Sequence, residues 1–213
     1  MNVFIGMEES QTIQQAFEAK GHNSWSCDLK PARLNPSRHI QGDVHEVLRS
    51  LRWTPDIIIL HPVCRFLTVS GQHWIGRPGQ EDRGQRTEEA VSDFMRCTQY
   101  GPRLCIENPI GIISTRWRRP DQIIQPHQFG DDASKSTCLW LKNLSPLFPT
   151  KIIPGRIIEW PKGSGRMVER WANQTDSGQN RLGPTKDPED RRAARAVTYP
   201  GLAAAMAEQW GSL

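Results

Sequence analysis

The chain has 213 residues, 37% of them hydrophobic, with a formal net charge of +4 and a mean hydropathy of −0.59. That length suits one domain with a sizeable core, and no apolar run reaches the ~20 residues needed to cross a bilayer. The opening MNVFIGMEES lacks the basic and apolar regions of an export signal, so the cytoplasm is the expected compartment.

In chain order, NVFI (2–5) predicts a short apolar strand. SQTIQQAFEAKG (10–21) predicts a helix, with Ser10 as N-cap and Gly21 as its stop. NSWSC (23–27) is a second strand ending at Asp28, and DVHEVLRSL (43–51) is a helix with Val44, Val47, Leu48 and Leu51 on one face. DIIIL (56–60) is continuously apolar and β-branched, as in a parallel strand buried on both faces. TEEAVSDFMRCTQY (87–100) predicts a helix capped by Thr87. RLCI (103–106) and TCLWL (137–141) are further strands, and YPGLAAAMAEQWG (199–211) is a closing helix with Pro200 near its start.

This alternation predicts a doubly wound, mostly parallel α/β sheet. Residues 1–150 form the expected core. Residues 151–195, rich in Pro, Gly and charge, read as one irregular basic excursion, and residues 196–213 return a helix to the core. Arginine is concentrated at 114–122 and 189–197. Such clusters suit nucleic acid, although a solvated charged surface explains them equally well.

The five cysteines include no CxxC pair, so neither a zinc site nor a disulfide framework is expected. Cys27, Cys97, Cys105 and Cys138 sit in apolar segments and read as buried thiols, whereas Cys64 follows a strand end in HPVCR. Ligands of wound sheets bind at the carboxyl ends of strands. That rule selects Gly6–Ser10, Asp28, His61–Cys64 and Glu107-Asn108-Pro109. The first turn has a single glycine and two glutamates. This argues against a phosphate and suits a cofactor with cationic groups such as S-adenosylmethionine, though taken alone the loop favours an ordinary βα turn with solvated acids. A thiol and a carboxylate on one sheet edge suit covalent catalysis on an electron-poor ring.

Two stretches carry a resemblance. PVCRFLTVSG (62–71) resembles the Pro-Cys motif of DNA (cytosine-5) methyltransferases, with the Cys-to-Gly spacing kept, and CIENPIG (105–111) resembles their Glu-Asn-Val motif. Phe4 and Gly6 are similar to the first cofactor motif, and the match over residues 2–141 is most like small phage-type members. The resemblance implies a Rossmann-like methyltransferase fold, with Cys64 as nucleophile and Glu107 as ring activator. It implies an S-adenosylmethionine site of Phe4, Gly6, Glu8, Asp28, Asp43 and Pro62, with S-adenosylhomocysteine as product, and double-stranded DNA as partner. Expected contacts to the base or DNA are Arg65, Ser70, Asn108, Arg116, Arg118, Lys135 and Thr137. Arg119, the loop with Arg77 and Arg83, and residues 151–195 supply further basic surface.

Departures from the family pattern are Val63 where a Pro is usual, Arg65 for Gln, Glu8 for the second Gly, and no visible Gln-x-Arg-x-Arg motif. These leave a second hypothesis open, a relative that binds DNA or S-adenosylmethionine without turnover. An amino methyltransferase would carry Asp/Asn-Pro-Pro-Tyr/Phe where this chain has HPVC. A monomer or weak dimer, short or relaxed sequence specificity, and a role in restriction-modification or phage biology complete the expectations.

Overall fold

The computed structural model describes residues 1–181 and 198–213, with the side chain of Ser70 left out. The expectations for Ser70 as a contact and for the arginines of 189–197 therefore lie outside the described residues. Strands β1 (Asn2–Gly6), β2 (Asn23–Asp28), β3 (His39–Gln41), β4 (Ile57–Leu60), β5 (Leu104–Pro109), β6 (Gln122–Ile124) and β7 (Thr137–Lys142) form a seven-stranded sheet. Its order is β3-β2-β1-β4-β5-β7-β6, with β7 antiparallel to both its neighbours and the first five strands parallel. This is the doubly wound, mostly parallel architecture that the alternation predicted, and it is Rossmann-like as the resemblance implied.

Side chains alternate across the strands, and the two faces feed two cores. Val3, Ile5, Ile57 and Ile59 pack with Ile13 and Phe17 of α1 (Thr12–Ala19) and with Leu202, Met206 and Trp210 of the C-terminal helix Pro200–Trp210. Phe4, Ile58, Leu60 and Ile106 pack on the opposite face with Val44 of α2 (Val44–Ser50) and with Phe94 and Cys97 of α4 (Arg83–Cys97). Each such side chain contributes roughly 1.5–3 kcal/mol by leaving water. Two one-turn helices, α3 (Val69–Gln72) and α5 (Ile113–Arg116), lie in the connections, and the closing helix is α6. No helix among the described residues is long and apolar enough to cross a membrane.

Several local expectations are corrected. Ser10 is not the cap of α1. The N-cap position is Gln11, in the left-handed region, and the carboxylate of Glu8 takes the amides of Ile13 and Gln14 at 2.7 and 3.3 Å. Thr87 does not start α4, because the helix begins a turn earlier at Arg83 and Thr87 donates back to the Arg83 carbonyl at 2.9 Å. The 151–195 excursion is not wholly irregular, since β8 (Arg156–Glu159) and β9 (Met167–Arg170) form an antiparallel hairpin.

Candidate active site at the carboxyl rim

The chain leaves β1 toward β2 and β3 on one side, then returns to β4 on the other, so the rim between β1 and β4 is the switch point of the sheet. Gly6 ends β1 there. A Cβ on it would lie 2.5 Å from Val44 Cγ2 and 2.6 Å from Leu60 Cδ2, so close packing excludes any side chain. Met7 follows at φ 61°, a left-handed conformation costly for a non-glycine residue. Glu8 is buried and committed to capping α1, and burial raises its carboxyl above the ordinary range despite the His61 charge and these amides. Glu9 pairs with Lys30 and Arg33. The acids of the first turn are thus largely engaged within the protein.

Cys64 is exposed, whereas the other four cysteines are buried. Its carbonyl accepts from the amides of Leu67 and Thr68 at 2.9 and 3.2 Å, which turns the chain directly after the thiol. The segment beyond is folded onto α4. Arg83, 6% exposed, donates from Nε to the Gly71 carbonyl at 2.8 Å and from Nη2 to that of Arg65 at 3.2 Å. The guanidinium groups of Arg65, Arg83 and Arg86 all lie within 6 Å of the Phe66 ring centre, at 5.3, 5.4 and 5.9 Å. Arg83 therefore organises this loop, and the expectation that it lies on a DNA-facing surface is withdrawn. Arg77 remains exposed in the same loop.

The Leu60–Ile106 register sets His61 beside Glu107 across neighbouring strands. His61 Nδ1 lies 2.9 Å from Glu107 Oε2. Burial alone would raise the Glu107 carboxyl, but the His61 hydrogen bond and the Lys135 charge overcome it and hold the group below its usual range, as the anion. Asn108 is buried, and its Nδ2 donates to the Pro62 carbonyl at 2.8 Å, joining the Cys64 loop to the Glu107 strand. Its Oδ1 is buried and has no hydrogen-bond partner among the described residues. Pro62 is likewise buried within that clamp. Glu107, Lys135, Thr137, Thr198 and Tyr199 line a cavity of about 10 Å³, room for roughly one water. Lys135 and Thr137 thus come to the Glu107 side of the rim.

Phe4 is fully buried and belongs to the core, with its ring 6.4 Å from that of Trp53. Asp28 and Asp43 lie around Cys27, whose thiol is pushed up to about 12 by burial first and then by the charges of these two acids. Asp28 accepts from the Lys30 amide at 2.9 Å, and Asp43 caps α2 through the amides of His45 and Glu46, both at 3.0 Å. Arg116 pairs with Glu88 of α4 at 2.6 Å. Arg118 pairs with Asp121 at 2.8 Å, stacks on Trp117 and borders a groove of about 510 Å³ that reaches the amino end of β5. Neither arginine is brought to Glu107. Arg119 is exposed in the same connection.

Sequence reasoning passed over His61, although a histidine between an apolar strand and a proline sits at the chosen rim position. No family model matches the chain, and no curated protein matches it. Among solved structures, a methyltransferase of Entamoeba histolytica, EhMeth, is 14% identical, with a TM-score of 0.48, over 72% of this chain and 58% of that one. The chain thus spans less than two thirds of that protein's length.

Proposed function

We propose that the chain transfers a methyl group from S-adenosylmethionine to C5 of cytosine in DNA, through a covalent Cys64 adduct, with Glu107 activating the ring. The observation that carries this reading is the pairing at the rim. The one exposed cysteine follows β4, a largely buried carboxylate stands near the carboxyl end of the adjacent β5, and the Asn108–Pro62 hydrogen bond fixes the two segments to each other. A ring presented between them would meet a sulfur nucleophile at C6 and an oxygen at N3. The base would be flipped out of the duplex, at a cost of a few kcal/mol.

The residues at the β1–β4 switch fit S-adenosylmethionine. Asp28 suits ribose hydroxyls, Asp43 suits an adenine amino group, and the turn at Gly6 leaves room for close backbone approach. When bound, that molecule supplies the methyl group. The acids at 8 and 9 are engaged elsewhere, so their contribution there is confined to charge. Exposed arginines, with the β8–β9 hairpin, supply phosphate contacts that position the duplex. A recognition element this small suits a short or relaxed target sequence.

The test is incubation of the pure protein with labelled S-adenosylmethionine and duplex DNA, followed by nucleoside analysis, with Cys64→Ser as control. Label in 5-methylcytosine that is lost in the control supports the reading. Label in an amino-methylated base, or none, overturns it. The engagement of Arg116 and Arg118 away from Glu107 favours the second reading, binding without turnover. DNA containing 5-fluorocytosine separates the two, because only a working nucleophile becomes covalently trapped.

A further inference from the structure

His61 has no part in the methyl-transfer scheme, yet it is hydrogen-bonded to its acid. Its Nδ1 lies 2.9 Å from Glu107 Oε2. A carboxylate only accepts, so Nδ1 carries a proton and donates it. The opposite nitrogen, Nε2, is buried and has no hydrogen-bond partner among the described residues. Buried polar atoms are nearly always paired, and an orphan beside a candidate catalytic group calls for a working explanation. The ring also faces Glu8 from the β1–α1 turn, while Lys135, from the segment before β7, faces Glu107. His61 thus sits between two largely buried carboxylates, one bonded to it and one acting through its charge.

Glu107 meets a demand that its resting form does not satisfy. Assisting attack at C6 requires a proton at N3, and a carboxylate anion has none to give. We infer that His61 is the positioning residue that loads this proton, passing it from Nδ1 to Glu107 before Glu107 protonates N3. This inference rests on the cytosine-methylation reading.

The steps balance. The Cys64 sulfur bonds to C6, and the C5–C6 π pair shifts to form the C4–C5 double bond while the C4–N3 pair moves to N3. Glu107 first takes the Nδ1 proton of a doubly protonated His61 and then passes it to N3, so the imidazolium becomes an imidazole protonated at Nε2 and Glu107 ends as the carboxylate it began as. Once C5 has accepted the methyl group, N3 returns its proton along the same path. C5 then loses its hydrogen to water, the S–C6 bond breaks, and Cys64 leaves as thiolate. The net proton released is the one from C5.

His61→Asn tests this, because its amide keeps an N–H donor for Glu107 and carries no titrating proton. The measurement is kcat and KM for 5-methylcytosine formation by the full chain on unmethylated duplex DNA. His61→Asn is expected to lose about tenfold to a hundredfold in kcat, with KM for DNA unchanged. An unchanged kcat overturns the inference. If the Asn variant does not fold, His61→Gln carries the same two readouts, and His61→Ala is expected to regain rate with added imidazole. If the unaltered protein forms no 5-methylcytosine, the parent reading fails and this one falls with it. If it does form it and the variants match it, only the His61 assignment falls.

Discussion

Around Glu107 the chain buries charge against hydrophobic strands, and around β8–β9 it exposes apolar side chains and secures itself with polar contacts. The rim groups stand on parallel strands whose residues, such as Ile57, Ile59 and Leu60, are fully buried. In the hairpin, Ile157 and Met167 are 61% and 60% exposed. Arg156 adds polar ties, reaching the carbonyls of Trp171 and Gln174 and the Asp176 carboxylate. Trp171 stacks on His127 with ring centres 4.0 Å apart, and Asn173 exchanges two hydrogen bonds with Ser134, each 2.9 Å. Placement at the rim is thus carried by strand register, whereas the segment around the hairpin is held to the core by a few side-chain contacts.

The largest expected effect tests the rim. Cys64→Ala should abolish covalent capture of 5-fluorocytosine DNA while shifting Tm by no more than about 2 °C, because the exposed thiol supports little of the fold. A large drop in Tm would mean that the thiol is structural. Glu107→Gln should lower the methylation rate by roughly 10²- to 10⁴-fold.

The same variant has a signature in acid. The Glu107 carboxyl is held below its ordinary 4.5 in the folded protein, so its stabilising contribution is complete above that value and disappears as pH falls through the folded one. Denaturant unfolding of Glu107→Gln at falling pH should lack that loss. An identical acid profile would remove the basis for a charged Glu107.

Phe94→Ala tests the packing beneath the rim. Phe94 meets Trp140 edge-on at 5.1 Å and is fully buried, so its truncation should cost about 3–5 kcal/mol by denaturant unfolding. The smallest effect belongs to the hairpin. Arg156→Ala should cost roughly 1–2 kcal/mol locally and raise proteolytic cleavage between residues 155 and 181. Its KM for DNA should rise while kcat stays unchanged, and a fall in kcat of the same size would erase the separation between the two regions.

The central strands were legible because an uninterrupted run such as Ile57–Leu60 has a single home, a strand covered on both faces. The thiol, the carboxylate and their order on one edge were legible for the same reason, since the end of a strand fixes where the next few residues lie. The three-residue strands β3 and β6 were not, because His39–Gln41 and Gln122–Ile124 offer no periodicity to read. The start of α4 was hidden by a buried arginine. Residues 81–86, EDRGQR, read as exposed loop until the carbonyls that Arg83 serves are known. Ser10 satisfied a capping rule that Glu8 fulfils from two residues earlier, a choice settled by the left-handed turn at Gln11.

The bond from Asn108 to the Pro62 carbonyl has a consequence for engineering. It is a neutral, buried contact, so added salt should leave it intact while weakening the arginine contacts at the surface. The loop bearing the thiol and the strand bearing the carboxylate behave as one machined part. A transplant of this site into another scaffold would need β4, β5 and the Asn108 amide together, since either strand alone would arrive without its alignment.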